Sequence, residues 1–397
     1  MKVLFLSNEQ LLPLSGGGSV GNFKIVEKLV AHGHDVTVAT PLYLGQEEVR
    51  RIEAEHNIRI RSFSPFYIHK NVSARGPKYL LYGFLFTFHL FRLILRERYD
   101  VIFIRNCLLG FPALLFRKSV KSMYAISMTD FLTGFLYNNP RYPRFAVKLM
   151  YSLERMVPKF FDIAFVITPQ MKRMLIEGGT QPSRIHVTYD GVDTSIFDPK
   201  KVDQARVGDI RARYGVERRL VLFHGTIDDQ AQTKLRFIMK KVLRKTDDIH
   251  FMLLGQGKRY DDLKAEFESE RVKFPGYVAY SEIPTYAAAA DAGIIPYENN
   301  FNSDIIITLK LLEYLAMGLP VVSTDLKSIR ELFGVYDFIK LAASTEEFAD
   351  DVIRMVDYGK SQAAVDLIAG SYGWDKVTDS IVETVEDRFQ GKRAISL

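Results

Sequence analysis

Two doubly wound α/β domains in series are predicted for this chain, on three observations. Its 397 residues exceed what a single hydrophobic core usually holds. Short apolar runs alternate with helix-compatible segments in both halves, as in parallel sheets covered by helices. The alternation breaks once, at residues 191–207, where Asp, Pro and Lys occur without periodicity, as in a linker. The expected division is residues 1–198, residues 199–370, and a closing helix over residues 371–397 that packs back toward the first domain.

Taken in order, residues 2–7 read as a buried strand, residues 8–18 as a glycine-bearing loop, and residues 19–31 as a helix that Gly33 ends. Residues 35–40 are strand again, completing a βαβ unit. Further strands are expected at residues 100–105, 122–126, 163–168 and 185–189. After a short helix near residues 209–214, a second set follows at residues 220–224, 250–254, 272–274, 292–296, 320–324 and 338–341. Two such domains would place a ligand cleft outside the carboxyl ends of both sheets. In the tail, Trp374, Val377, Ile381, Val385 and Phe389 repeat at helical spacing.

The most informative stretch is residues 302–325, read as loop, short helix and buried strand. Thr308 suits an N-cap, residues 309–317 contain no breaker, Gly318 suits the left-handed residue after a helix, and Pro320 blocks continuation. The amides of such a helix start, joined by the Lys310 ammonium, would attract a phosphate. Glu313 stands four residues after Leu309, about 6 Å along the axis, the offset between a diphosphate and a ribose. Its carboxylate would accept from both ribose hydroxyls. A helix with no more than a charged start fits the same residues.

Composition narrows the class. Lys plus Arg total 53 against 47 Asp plus Glu, a net charge of +6, which favours anionic partners without choosing among nucleotide, lipid and nucleic acid. Cys107 is the only cysteine, which rules out an intramolecular disulfide and a cysteine-rich metal site and suggests a reducing cytoplasm. The N-terminal run reads as a first strand rather than a signal peptide. No Walker loop, nucleophile elbow or clustered metal ligands occur; the 8 histidines are scattered.

Gly16, Gly17, Gly18 and Gly21 contain GxGxxG. Eight residues separate Ser7 from Gly16, however, and the second strand ends in Ala39 and Thr40 with no acid for a ribose. A loop whose amides approach a diphosphate fits better than a dinucleotide fingerprint. Residues 79–95 are apolar around most of a helix, but the uninterrupted run has ten residues, too few to span a bilayer. A buried helix and one dipping an aromatic face into a membrane both fit. Arg144, Lys148, Arg155 and Lys159 share a helical face, preceded by Arg141, with Phe145, Leu149 and Met156 on another side. An anionic lipid surface and plain solvation both explain that face. Asp130 follows a strand and suits either a base for an incoming hydroxyl or a turn cap.

In order, MKVLFLSNEQLLPLSGGGSVGNFKIVEKLVAHGHDVTVAT, DIAFVITPQMKRMLIEGGTQPSRIHVTYDGVDTSIFDP, FHG at Phe223, LLGQG at Leu253, FPGYVAYSEIPTYAAAADAGIIP, KLLEYLAMGLPVVSTD and SYGWDKVTDSI resemble the GT-B glycosyltransferases, specifically retaining family 4. The likeness covers nearly the whole chain. It implies two Rossmann-like domains facing across a cleft and transfer of a sugar from a nucleotide-sugar donor to an acceptor hydroxyl. Joined to the basic charge and the two membrane-docking candidates, the likeness leads to an expected acceptor that is a lipid-linked or cell-surface glycan at the inner face of the membrane, with Arg144, Lys148 and Arg155 as docking residues.

By the same resemblance, Glu313 would hold the ribose and residues Thr308, Leu309, Lys310 and Leu311 the diphosphate. Gly225, Gly255, Gly276 and Val278 would line the donor pocket, and Gly17 and Gly18 would close over it. No tightly bound cofactor, metal or nucleic acid is implied. This sequence departs from the family pattern: Ile305 replaces the first of two glutamates, with Glu298 or Asp304 as substitutes, and Thr226 and Ile227 replace an Arg/Lys pair. Lys310 becomes the leading phosphate cation, with Lys234 second. Alternatives are a nucleotide-sugar epimerase on the same fold and an inactive glycan- or nucleotide-binding module.

Overall fold

A computed structural model describes residues 1–7, 11–12, 17–40, 45–62, 90, 92–105, 110, 114–115, 117, 121–136 and 142–396. The chain forms two compact units, Met1–Asp190 with Asp375–Leu397, and Gly191–Trp374.

The first unit is built on seven parallel strands: β1 (Lys2–Leu6), β2 (Asp35–Thr40), β3 (Arg59–Ser62), β4 (Val101–Arg105), β5 (Met123–Met128), β6 (Ile163–Val166) and β7 (Ile185–Val187). Their order is β3-β2-β1-β4-β5-β6-β7. Every residue of β4 and β5 is buried, as expected of central parallel strands covered on both faces. The sequence reading omits β3. Its Arg-Ile-Arg-Ser pattern is tolerated because it lies at the sheet edge, paired only with β2 from Thr37↔Arg59 to Thr40↔Ser62.

The first helix runs Gly17–Ala31, so Gly17 and Gly18 form its opening turn rather than the end of a loop. First-turn amides have no intrahelical acceptor in any case, so glycine is least costly there. Gly16 and most of the predicted glycine loop, Cys107, Arg141 and most of residues 79–95 lie outside the described residues. Among the described residues no helix is long and apolar enough to cross a membrane.

The closing helix spans Trp374–Ser396. Val377, Ile381, Val382 and Val385 are buried, while Phe389 is half-buried. Ion pairs fasten the helix within the first unit, Lys28 to Asp379 at 3.0 Å and Lys392 to Asp162 at 3.1 Å, and His34 Nε2 lies 2.8 Å from Glu386 Oε1.

The second unit holds six parallel strands: β8 (Arg219–His224), β9 (Ile249–Leu254), β10 (Val272–Gly276), β11 (Ala292–Ile295), β12 (Val321–Thr324) and β13 (Ile339–Ala342), ordered β10-β9-β8-β11-β12-β13. Its core includes Phe223, Phe251, Leu253, Ile294 and Val322 from the sheet and Leu235, Met239 and Val352 from the helices. In each sheet the winding reverses once, at β1/β4 and at β8/β11. The carboxyl side of such a reversal is where doubly wound folds bind ligands.

Candidate active site

Three adjacent strands of the second unit end in glycine. Gly225 follows β8 with φ +124°, Gly255 follows β9 with φ +130°, and Gly276 closes β10 with φ +83°. All three lie in the left-handed half of backbone space that side chains avoid. They also interlock: Gly225 N donates to Leu254 O at 3.0 Å, and Gly255 N to Gly276 O at 2.7 Å. A Cβ on Gly255 would stand 2.0 Å from the Gly225 carbonyl oxygen. The carboxyl edge of the sheet is therefore bare peptide, with the space a side chain would take at Gly255 filled by the Gly225 carbonyl.

The helix Leu309–Ala316 is pinned over the β8/β11 reversal by Tyr314, whose ring packs where a Cβ on Gly293 of β11 would sit, 2.5 Å away. The Tyr314 hydroxyl accepts from His224 N at 3.0 Å and donates to Leu222 O at 3.2 Å. β8 pairs with β11 only at Val221 and Leu222, so the phenol supplies the partner that the strand pairing leaves out. Burial drives the Tyr314 pKa well above the usual phenol value.

Lys310 occupies the second position of this helix and is only 6% exposed. Its Nζ has no hydrogen-bond partner among the described residues. It lies 4.3 Å from the centroid of Phe223 and 4.8 Å from that of Tyr297, and a Cβ on Gly225 would meet it at 2.7 Å. Cation–π contact offsets about 0.5–2 kcal/mol of the cost of burying an ammonium. The rest of that cost calls for an anion.

One turn on, Glu313 is 4% exposed. His224 Nε2 lies 3.1 Å from Glu313 Oε2, at ion-pair distance but without the alignment of a hydrogen bond. The Tyr280 hydroxyl donates to the same carboxylate; burial first, then that negative charge, drives the Tyr280 pKa far above its ordinary value. Phosphate-seeking and hydroxyl-seeking groups thus stand one helical turn apart.

Thr308 is the N-cap by backbone shape, but its side chain makes no capping hydrogen bond. Leu309 is half-buried and Leu311 fully buried. Lys234 Nζ lies 3.4 Å from Thr324 Oγ1 at the end of β12; burial lowers its pKa, with the Glu298 carboxylate acting in the opposite sense. Glu298 is exposed, and Val278 is half-buried in the segment after β10.

The stretch before Thr308 is not all loop as expected, because residues Phe301–Ile305 form a helix. Asn300 caps it, its Oδ1 accepting from Asn302 N and Ser303 N at 3.0 Å each. Asp304 pairs with Lys327 Nζ at 3.0 Å, which engages one of the two proposed substitute acids. Ile305 is buried at 3% exposure, so an acid in its place would have entered the core.

Asp130, Gly17, Gly18, Arg144, Lys148 and Arg155 belong to the first unit. Asp130 is half-buried, two residues after the end of β5. The next segment is held by buried Glu154, which accepts from Thr133 N at 3.0 Å and from Thr133 Oγ1. Arg144 and Lys148 are exposed on the helix Arg144–Met156, whereas Arg155 is paired with Glu177 at 3.0 Å. That helix ends before Lys159, which sits in the 3-10 turn Val157–Phe160, so the expected four-residue basic row is shorter by one. Among the described residues no group of His, Cys, Asp and Glu has the placement to hold a metal ion.

The sequence reading passes over His224, Tyr280, Tyr297 and Tyr314. For His224 there is a local signal, a histidine ending a buried strand beside a positive-φ glycine. Tyr314 is local to the helix that carries Lys310 and Glu313, whereas Tyr280 and Tyr297 are brought to the site only by the turn of the chain.

The family model described as Glycosyltransferase Family 4 matches residues 15–196, and the one described as Glycosyl transferases group 1 matches residues 218–357. Among curated proteins, the sulfoquinovosyl transferase SQD2 of Arabidopsis thaliana is 26% identical over 196 residues, 49% of this chain and 36% of that protein. The chitobiosyldiphosphodolichol beta-mannosyltransferase of Candida albicans is 26% identical over 208 residues, 49% of this chain and 44% of that protein. The chain thus spans less than half the length of these relatives. Among solved structures, Anabaena HepE in complex with UDP superposes with a TM-score of 0.71 at 16% identity, covering 98% of this chain and 100% of that one. The two family models together span most of the chain, which belongs to the glycosyltransferases they describe, and its two doubly wound parallel sheets have the GT-B fold.

Proposed function

We propose that the protein transfers a sugar from a nucleoside diphosphate donor to an acceptor hydroxyl. The observation carrying this reading is the buried Lys310 Nζ, without an acceptor among the described residues, one turn before the buried Glu313 carboxylate. The diphosphate would lie against Lys310 and the first amides of its helix, with Gly225 and Gly255 allowing close approach and Lys234 as a second cation. The ribose hydroxyls would donate to Glu313, and the base would lie along Gly276 and Val278. In the transfer step the bond from the anomeric carbon to the diphosphate oxygen breaks and that oxygen leaves with the electron pair. Lys310 and the helix amides stabilise the charge that develops there. The acceptor oxygen bonds to the anomeric carbon on the face the diphosphate leaves, giving retention, and needs no protein nucleophile. Asp130 is proposed on the acceptor side, as the group receiving the hydroxyl proton, and Gly17 and Gly18 as amide donors to the donor phosphates.

The complex of HepE with UDP supports uridine donors as the first to try. The name of the Candida relative supports a lipid-linked acceptor. Peripheral attachment to an anionic membrane follows from such an acceptor. A thermal-shift panel of nucleotide sugars tests the donor, since ligand at 100 times its dissociation constant adds about 2.7 kcal/mol of stability. Product analysis then tests the reaction. Free nucleoside diphosphate with a glycosylated acceptor supports transfer, an isomerised intact donor supports epimerisation instead, and binding without turnover supports a binding module.

A further inference from the structure

The helix Arg144–Met156 carries apolar side chains on the face turned away from the core. Phe145 is 76% exposed and Leu149 59%, with Leu153 and Met156 at 39% each. At 100° per residue these four fall within an arc of about 80°. Val147 and Glu154 point the opposite way and are buried. Phe160, 47% exposed, extends the apolar surface past the helix end. From Phe145 to Met156 the stripe runs about 16 Å.

Charge is arranged along one side of this stripe. Arg144 and Lys148 are exposed beside it. Glu154, the only acid in the helix, is turned inward onto Thr133. The outward surface of the helix therefore offers apolar and cationic groups and no anionic one. A second copy would present the same cations and no acid on this face to pair with them, so it offers no charge complementarity. An anionic bilayer meets both features at once: its acyl boundary takes the apolar stripe and its phosphates take the cations.

We propose that this face is a membrane-docking surface, with the helix lying in the plane of an anionic phospholipid bilayer. Phe145, Leu149, Leu153 and Met156 enter below the headgroups, and Arg144 and Lys148 contact lipid phosphates. Arg155, engaged by Glu177, is a lesser contributor than its sequence position suggests. The proposal deepens the reading of a lipid-linked acceptor and rests on it for its purpose, but vesicle binding needs neither donor nor acceptor.

Flotation of the full chain with phosphatidylcholine vesicles, with and without phosphatidylglycerol, tests it. Binding is expected only with the anionic lipid and is weakened by salt. R144A/K148A is expected to reduce partitioning about thirtyfold, roughly fivefold per charge. F145E/L149E is expected to abolish it with no change in thermal unfolding, because both side chains are already exposed. In F145W, tryptophan emission is expected to shift to the blue on anionic vesicles. Failure of the wild type to float with anionic lipid, or equal flotation of F145E/L149E, overturns the proposal. So does a concentration-dependent dimer that F145E/L149E dissolves in the absence of lipid. Loss of vesicle binding leaves the transferase reading standing, and absence of turnover with intact vesicle binding counts against the transferase reading alone.

Discussion

Replacing Lys310 with Met should separate a ligand-binding cation from a structural one. The side chain is 6% exposed, its Nζ has no hydrogen-bond acceptor among the described residues, and its neighbours are the rings of Phe223 and Tyr297. Met keeps most of the volume and removes the charge. The folded protein without ligand then loses cation–π contact worth about 0.5–2 kcal/mol but is relieved of an uncompensated buried ammonium that costs at least as much. Unfolding stability should stay level or rise by about 1 kcal/mol. Donor binding should move the other way. A charge-assisted hydrogen bond contributes about 1.5–3 kcal/mol, and a unit-charge pair at about 4 Å in an effective dielectric of 20 contributes about 4 kcal/mol before desolvation. A net loss of about 2–4 kcal/mol raises Kd roughly thirty- to seven-hundredfold. Calorimetric titration of donor and chemical unfolding of the apo protein measure the two quantities. A variant that is destabilised yet binds donor as tightly as wild type would refute the reasoning and make Lys310 a packing residue.

Three further outcomes are expected. Glu313→Gln should weaken a ribonucleotide donor by about 1.5–3 kcal/mol and its 2′-deoxy analogue by less, because the lost carboxylate is the proposed acceptor for that hydroxyl; equal losses for both ligands in calorimetry would speak against the ribose role. Gly191→Ala places a methyl 2.6 Å from the Trp374 ring, so thermal unfolding should show a destabilisation of about 1–3 kcal/mol. Lys360 is an exposed residue whose Nζ donates to the Ala287 and Ala290 carbonyls at 2.8 and 2.7 Å. Burial of that amine lowers its pKa from 10.5 to about 8. Between these values the unfolded chain binds the extra proton, so stability should rise with pH across the window. Urea unfolding of wild type against Lys360→Met should show a steeper slope in the former, the remainder in the variant coming from other lowered amines such as Lys234.

The strands were legible because central parallel strands must be apolar on both faces, as in β4, β5 and β9, which are buried throughout. The polar edge strand β3 carried no such signature and was missed. The helix Leu309–Ala316 could be read from Gly318, which adopts φ +67° as its position after a helix requires. Lys310 and Glu313 could be paired because helical geometry sets their offset with no knowledge of the rest of the chain. The short helix Phe301–Ile305 was hidden because its start depends on Asn300 turning its side chain onto two amides, a local choice that the residue types permit but do not impose.

Periodicity and spacing, together with the order of the motifs, determined the two-domain α/β architecture, the family resemblance, and a phosphate- and ribose-seeking pair on one helix. Tertiary structure alone decided what surrounds that pair. It brought Tyr280 and His224 to Glu313 and the Phe223 and Tyr297 rings to Lys310, and it used Tyr314 to anchor the helix over the β8/β11 reversal. It also decided which side of the helix Arg144–Met156 faces water, turning Phe145 and Leu149 outward. The reason is physical: spacing along a helix or strand is set by local backbone geometry, whereas burial, partners and unmet charge depend on segments far apart in sequence that meet only when the sheets close.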